Sequence, residues 1–177
     1  MGALVLPWKG VLPQVAPDAF IAPNATLIGD VAIGARSSVW FNVVMRGDVN
    51  YIRVGERTNI QDGTIVHVAT NDGPTIIGND VLIGHAAIVH GCTLHDGCFV
   101  GMAATVMDDA VVESGAMVAA GALVAPGKRV PTGQLWAGTP AKFMRELKPD
   151  EIATMKVQTA RYADLADAYR AMLAAQK

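Results

Sequence analysis

Cysteine is almost missing from this chain. Cys92 and Cys98 are the only two in 177 residues, so neither a disulfide framework nor a CxxC redox or zinc-thiolate motif can be built. Both read as buried free thiols. A charge imbalance is missing too: 14 Lys and Arg stand against 16 Asp and Glu, without clustering, which argues against nucleic acid or a membrane surface as a partner. Residues of the Ala, Val, Ile and Leu kind make up 51% of the chain, yet no stretch approaches the roughly 18 uninterrupted apolar residues of a spanning helix. Their hydrophobicity is assigned to a core. The opening residues MGALVLPWKG lack the basic start, long apolar run and cleavage site of a secretory leader. A cytoplasmic protein of one domain, residues 1–177, is the expectation.

What the chain does have is a repeat of six. Ile76, Leu82, Ile88, Leu94, Val100, Val106, Val112, Val118, Val124 and Val130 recur at that spacing, and a small residue follows each of seven consecutive units at the fourth offset, from Ala86, Cys92 and Cys98 to Ala122. An earlier block, Ile21, Leu27, Ile33, Val39 and Met45, keeps the same period, which resumes at Val54, Ile60 and Val66. Six is neither the period of a helix nor that of a hairpin strand. It fits a short strand plus a corner. Three such units close a triangular coil, and coils stacked about 4.8 Å apart bury equivalent side chains in columns, as in a parallel β-helix. Corner sequences such as Ile28-Gly29-Asp30 and Ile77-Gly78-Asn79 supply the turn residues. Two insertions are expected as outward loops, three residues near Tyr51 to Arg53 and four around Asp72 to Thr75. The β-helix is placed at about 11–147. From about 149 to 176, Ile152, Met155, Thr159, Tyr162, Ala166, Tyr169 and Leu173 mark one face of a long helix packed along the prism.

All four histidines, His67, His85, His90 and His95, fall within 29 residues at outward positions of the repeat. Unit counting puts His67 and His90 on one prism face, a coil apart, and His85 on the preceding face, turned away by roughly 120° in a three-sided coil. His67 and His90 can therefore share an ion that His85 of the same chain cannot reach. A three-fold assembly of parallel prisms would bring the His85 face of one subunit to the His67 and His90 face of the next. Three neutral imidazoles leave a fourth position open for water, the pattern of a catalytic zinc site. Arg46 stacks a coil from His67 on the same face, and Gln61 shares the His85 face. Arg46 with Asp48 is equally well an ion pair at an interface. His95 reads as ordinary surface.

Taken in order, Arg46-Gly47-Asp48, Asn59-Ile60-Gln61-Asp62, His67, Gly84-His85, His90-Gly91-Cys92 and Gly138-Thr139-Pro140-Ala141-Lys142 resemble gamma-class carbonic anhydrases from about residue 10 into the C-terminal helix. The last motif is shared with hexapeptide acyltransferases. The resemblance implies an all-β fold, a left-handed parallel β-helix with a C-terminal α-helix, against the usual right-handed crossover. It also implies a homotrimer, with His67 and His90 ligating a metal from one subunit and His85 from its neighbour. Gln61 and Asn59 would orient the metal-bound hydroxide and CO2, Arg46 and Asp48 would pair across the interface, and Tyr162 would stand at the site, with Tyr169 as its competitor. The chain departs from the best-studied branch at Val49 and Thr70, where that branch carries glutamates that shuttle protons.

The function expected is that of a lyase, the reversible hydration of CO2 to bicarbonate by a metal-bound hydroxide at a trimer interface, at low turnover. Zn2+ is the first expectation for the metal, and Fe2+ or Co2+ suits the same ligands. Rival readings are a metal-free acyltransferase, hydrolysis of a coenzyme A thioester at the metal site, and a non-catalytic trimeric scaffold.

Overall fold

A computed structural model describes residues 2–71 and 73–175. The chain winds as a left-handed parallel β-helix of about seven turns and ends in one helix, α1, Pro149–Ala174. Three faces recur in each turn. One stacks Ile65–His67, Ile88–His90, Thr105–Val106 and Leu123–Val124. The second stacks Thr75–Ile77, Thr93–Leu94, Val111–Val112 and Arg129–Val130. The third stacks Ser38–Val39, Asn59–Ile60, Leu82–Ile83, Phe99–Val100 and Met117–Val118.

The interior columns correct the expected count. Ile77, Ile83 and Val89 pair with Leu94, Val100 and Val106 in the coil above. These three are at most 2% exposed, whereas Ile88 is 43% exposed and Leu82 is buried on the outside of the coil, by α1. The loop before Ile77 therefore inserts five residues rather than four, and the step from Val89 to Leu94 is one residue short. The two slips cancel, so an unbroken spacing of six runs through them. They are hidden because each true core residue follows another aliphatic one, in Ile76-Ile77, Leu82-Ile83 and Ile88-Val89. The small-residue column shifts likewise: Ala87 is buried, while Ala86 takes a corner with φ of 57°.

Other differences are local. The earlier insertion falls within Asp48–Tyr51, between the pairs Gly29↔Gly47 and Val31↔Ile52. Strand pairing begins before residue 11, since Leu4–Leu6 lies along Thr26–Ile28. The expected insertion includes Asp72 and the expected helix end is residue 176, both outside the described residues. Two interior threonines are paired, Thr58 Oγ1 donating to the Gly78 carbonyl at 2.7 Å and Thr64 Oγ1 to that of Gly84 at 3.1 Å.

Helix α1 starts where Pro149 sets the first turn and the Glu151 carboxylate accepts the Lys148 backbone N–H at 2.9 Å. It buries Met155, Thr159, Ala163 and Ala166, with Tyr162 and Tyr169 half-buried, against the third face. No helix among the described residues is long and apolar enough to cross a membrane.

Two outcomes test this packing. Ile77→Ala should cost roughly 2–5 kcal/mol of stability, as for a fully buried aliphatic side chain, and Ile76→Ala about 1 kcal/mol or less. Denaturant unfolding in the opposite order would contradict the register. Hydrogen bonds from Arg145, then from the Lys148 backbone, hold Glu151 at about 2 against its usual 4.5. Because the folded value is depressed, its stabilisation is complete above pH 4.5 and disappears as pH falls through about 2. The melting-temperature gap between wild type and Glu151→Gln should close over that window, and a gap independent of pH would refute the assignment.

Candidate metal centre

The parallel stack places Arg46, His67 and His90 in direct register on the first face. Each follows an inward residue, Met45, Val66 or Val89, so all three point outward one above the other. His67 Nδ1 lies 3.1 Å from His90 Nε2. The opposite nitrogens are tied down: His67 Nε2 meets Asp48 Oδ1 at 3.0 Å, and His90 Nδ1 meets an oxygen of Asp108. An ionised carboxylate only accepts, so both of those nitrogens carry their protons. In neutral imidazoles the two nitrogens that face each other then present lone pairs. Such an approach repels unless a cation or a proton lies between them. Two Zn–N bonds of about 2.0–2.1 Å at a tetrahedral angle would set the nitrogens about 3.3 Å apart, close to what is found.

Asp48 is carried by the early insertion. Its approach depends on Gly29, where a Cβ would lie 2.2 Å from the Gly47 carbonyl oxygen on a backbone with φ of 75°. Burial raises the Asp48 pKa, but hydrogen bonds from His67 and Arg46 outweigh it and hold the carboxylate below its ordinary range. Within the chain, Arg46 pairs with Asp48, because residues two apart on a strand share a side.

His85 occupies a different corner, at the turn after Leu82–Ile83, above Asp62. Its Nδ1 meets Asp62 Oδ2 at 2.9 Å, which leaves Nε2 free toward solvent. Among the described residues, no group of three His, Cys, Asp or Glu side chains within the chain could hold one ion. His85, Gln61 and Tyr162 meet instead in a groove of about 510 Å3 between the third face and α1. Tyr169 does not line the groove, and its ring centroid lies 5.1 Å from Trp40, 5.9 Å from Phe20 and 6.0 Å from Phe41, a cluster that Tyr162 also touches at 5.9 Å from Trp40. Asn59 does not line the groove. It is 1% exposed, and neither polar atom of its amide has a partner. His95 is exposed on the second face.

Sequence reasoning missed the carboxylates behind the histidines. Asp62 is part of the quoted motif without a role, and Asp108 lies 18 residues after His90, one coil on, where a coil count aimed at carboxylates would have found it.

Fold and side-chain arrangement together define a hexapeptide-repeat β-helix protein with a carboxylate-backed histidine pair. No family model matches the chain. It is 51% identical over 164 residues to gamma carbonic anhydrase 1, mitochondrial, of Arabidopsis thaliana, covering 90% of this chain but only 60% of that protein's length. It is 41% identical over 169 residues to a carbonic anhydrase of Geobacillus kaustophilus, covering 96% of this chain and 92% of that one. A crystal structure of a hexapeptide transferase family protein from Anaplasma phagocytophilum superposes with a TM-score of 0.91 at 50% identity, over 94% of this chain and 98% of that one. The chain belongs to the gamma carbonic anhydrase family.

The two tyrosines should separate by experiment. Tyr169→Ala should lose on the order of 2–3 kcal/mol of stability by opening the aromatic cluster, whereas Tyr162→Ala, which gives up one aromatic contact rather than three, should lose about 1 kcal/mol. Equal destabilisation would contradict the division between packing and groove.

Proposed function

We propose that the protein catalyses the reversible hydration of CO2 to bicarbonate as a cytoplasmic homotrimer, with each active site shared by two subunits. The single observation carrying this reading is the approach of His67 Nδ1 to His90 Nε2 with both opposite nitrogens held by carboxylates. Such backing fixes tautomer and ring orientation, as it does for metal-ligating imidazoles generally. His67 and His90 would hold the ion from one subunit and His85 Nε2, freed by Asp62, from the next. Zn2+ is the expected metal, and Fe2+ and Co2+ accept the same donors. When bound, such an ion supplies Lewis acidity that lowers the pKa of water to about 7.

The chain's own residues then divide the work. Gln61, buried at the groove beside His85, presents an amide able to donate to a substrate oxygen or accept from water. It is the amide of the pair that reaches the groove, Asn59 being sealed away. The Arg46 guanidinium, half-exposed beside Asp48, gives a positive point next to the histidine pair for the leaving bicarbonate. Val49, 52% exposed in the insertion, offers no proton acceptor, and exposed Thr70 offers no carboxylate, so protons leave through water or buffer. Turnover should therefore be modest and rise with buffer concentration.

Acyl transfer is the competing reading, suggested by the likeness to the Anaplasma hexapeptide transferase family protein. It predicts activity without metal. The test is metal analysis at native mass with a CO2 hydration assay. A trimer holding close to three ions, with hydration lost in His85→Ala and His90→Ala, is the expected result. A monomer, activity in metal-free protein, or a metal-loaded but inert trimer would each overturn the proposal.

A further inference from the structure

The groove beside His85 is larger than CO2 hydration needs. Both CO2 and bicarbonate comprise a handful of atoms, whereas about 510 Å3 falls in the range of roughly 300–1,000 Å3 that houses whole organic ligands. Away from His85 and Gln61, its β-helix wall is apolar, and the polar groups opposite, Gln158, Arg161 and the Tyr162 hydroxyl, come from α1. Leu82, Phe99 and Met117 stand in register on successive coils of the third face, extending roughly 10 Å along the prism at about 4.8 Å per coil. Ala120 and Leu165 line it as well, and the Met117 thioether is a flexible surface suited to an aliphatic chain. Arg161 is the one permanently charged side chain lining the groove, and no carboxylate lines it among the described residues. Its electrostatics therefore favour an anion.

Bicarbonate is a carboxylate whose substituent is hydroxyl. Replacing that hydroxyl by an alkyl chain gives an anion whose head suits the same donors and whose tail matches the apolar column. We propose that the groove binds aliphatic monocarboxylates, with the head at the Gln61 amide beside His85 and the chain along Leu82, Phe99 and Met117. Placement of the head rests on the hydration reading; placement of the chain rests on the column alone.

Calorimetric titration of the purified assembly with acetate, butyrate, hexanoate and octanoate tests this. Affinity should rise roughly three- to four-fold per added methylene as far as hexanoate. Ala120→Trp, which fills the far end, and Leu165→Gln, which makes the α1 side polar without adding charge, should flatten that gradient while leaving acetate affinity and CO2 hydration unchanged. Affinity independent of chain length, or a gradient surviving both variants, would overturn the proposal. A gradient in protein without metal or hydration activity would uphold the chain site and remove the hydration reading. Full hydration activity with no gradient would do the reverse.

Discussion

Parallel stacking in register is the constraint on which everything else in this molecule depends. Each coil hydrogen-bonds to the next through its main chain, so a side chain at a given offset lies directly over its counterpart, about 4.8 Å away. That rule gives the core its columns, with Val66, Val89, Val106 and Val124 buried one above another. It also gives the outer surface its chemistry. Arg46, His67 and His90 meet because each occupies the position after an inward residue on one face. The same rule keeps His85 away from them, since it belongs to a different corner of every turn.

Electrostatics refine what stacking brings together. Asp48, one coil before His67, and Asp108, one coil after His90, claim the outer nitrogens of the pair, so the inner nitrogens must face each other as acceptors. Asp62 does the same for His85. Three imidazoles are thus oriented by three carboxylates, an arrangement that orders ligands for a cation. Surface packing of histidines alone would not require it. The unpartnered Asn59 amide under α1 is the opposite case, a buried polar group without satisfaction, and it stands apart from the groove.

Much of this was legible in the sequence, for a physical reason: a period of six maps residue number onto face and height. The sharing of a face by His67 and His90, the separation of His85 and the C-terminal helix all follow from counting. Counting failed where aliphatic residues come in pairs. Ile76, Leu82 and Ile88 carry the right chemistry at the wrong offset, and only main-chain pairing reveals that Ile77, Ile83 and Val89 point inward. Because β-branched neighbours satisfy strand propensity equally well, composition cannot discriminate between them. Handedness came from resemblance alone, since spacing is the same in either sense. Asp108 and Ala163 went unnoticed because aspartate at a corner and alanine on a helix are ordinary there, and only packing gives them a role.

The central claim is that a protomer holds two-thirds of a ligand set and a rotated copy supplies the remainder. Mixing two inactive variants probes it most directly. His85→Ala chains retain the His67 and His90 face, and His90→Ala chains retain the His85 corner, so trimers reassembled from both contain complete sites at some boundaries. With random assortment, the account predicts recovery to about one quarter of wild-type CO2 hydration, since half the faces and half the corners are intact. A mixed assembly of confirmed hetero-trimers that stays as inactive as either parent would contradict it.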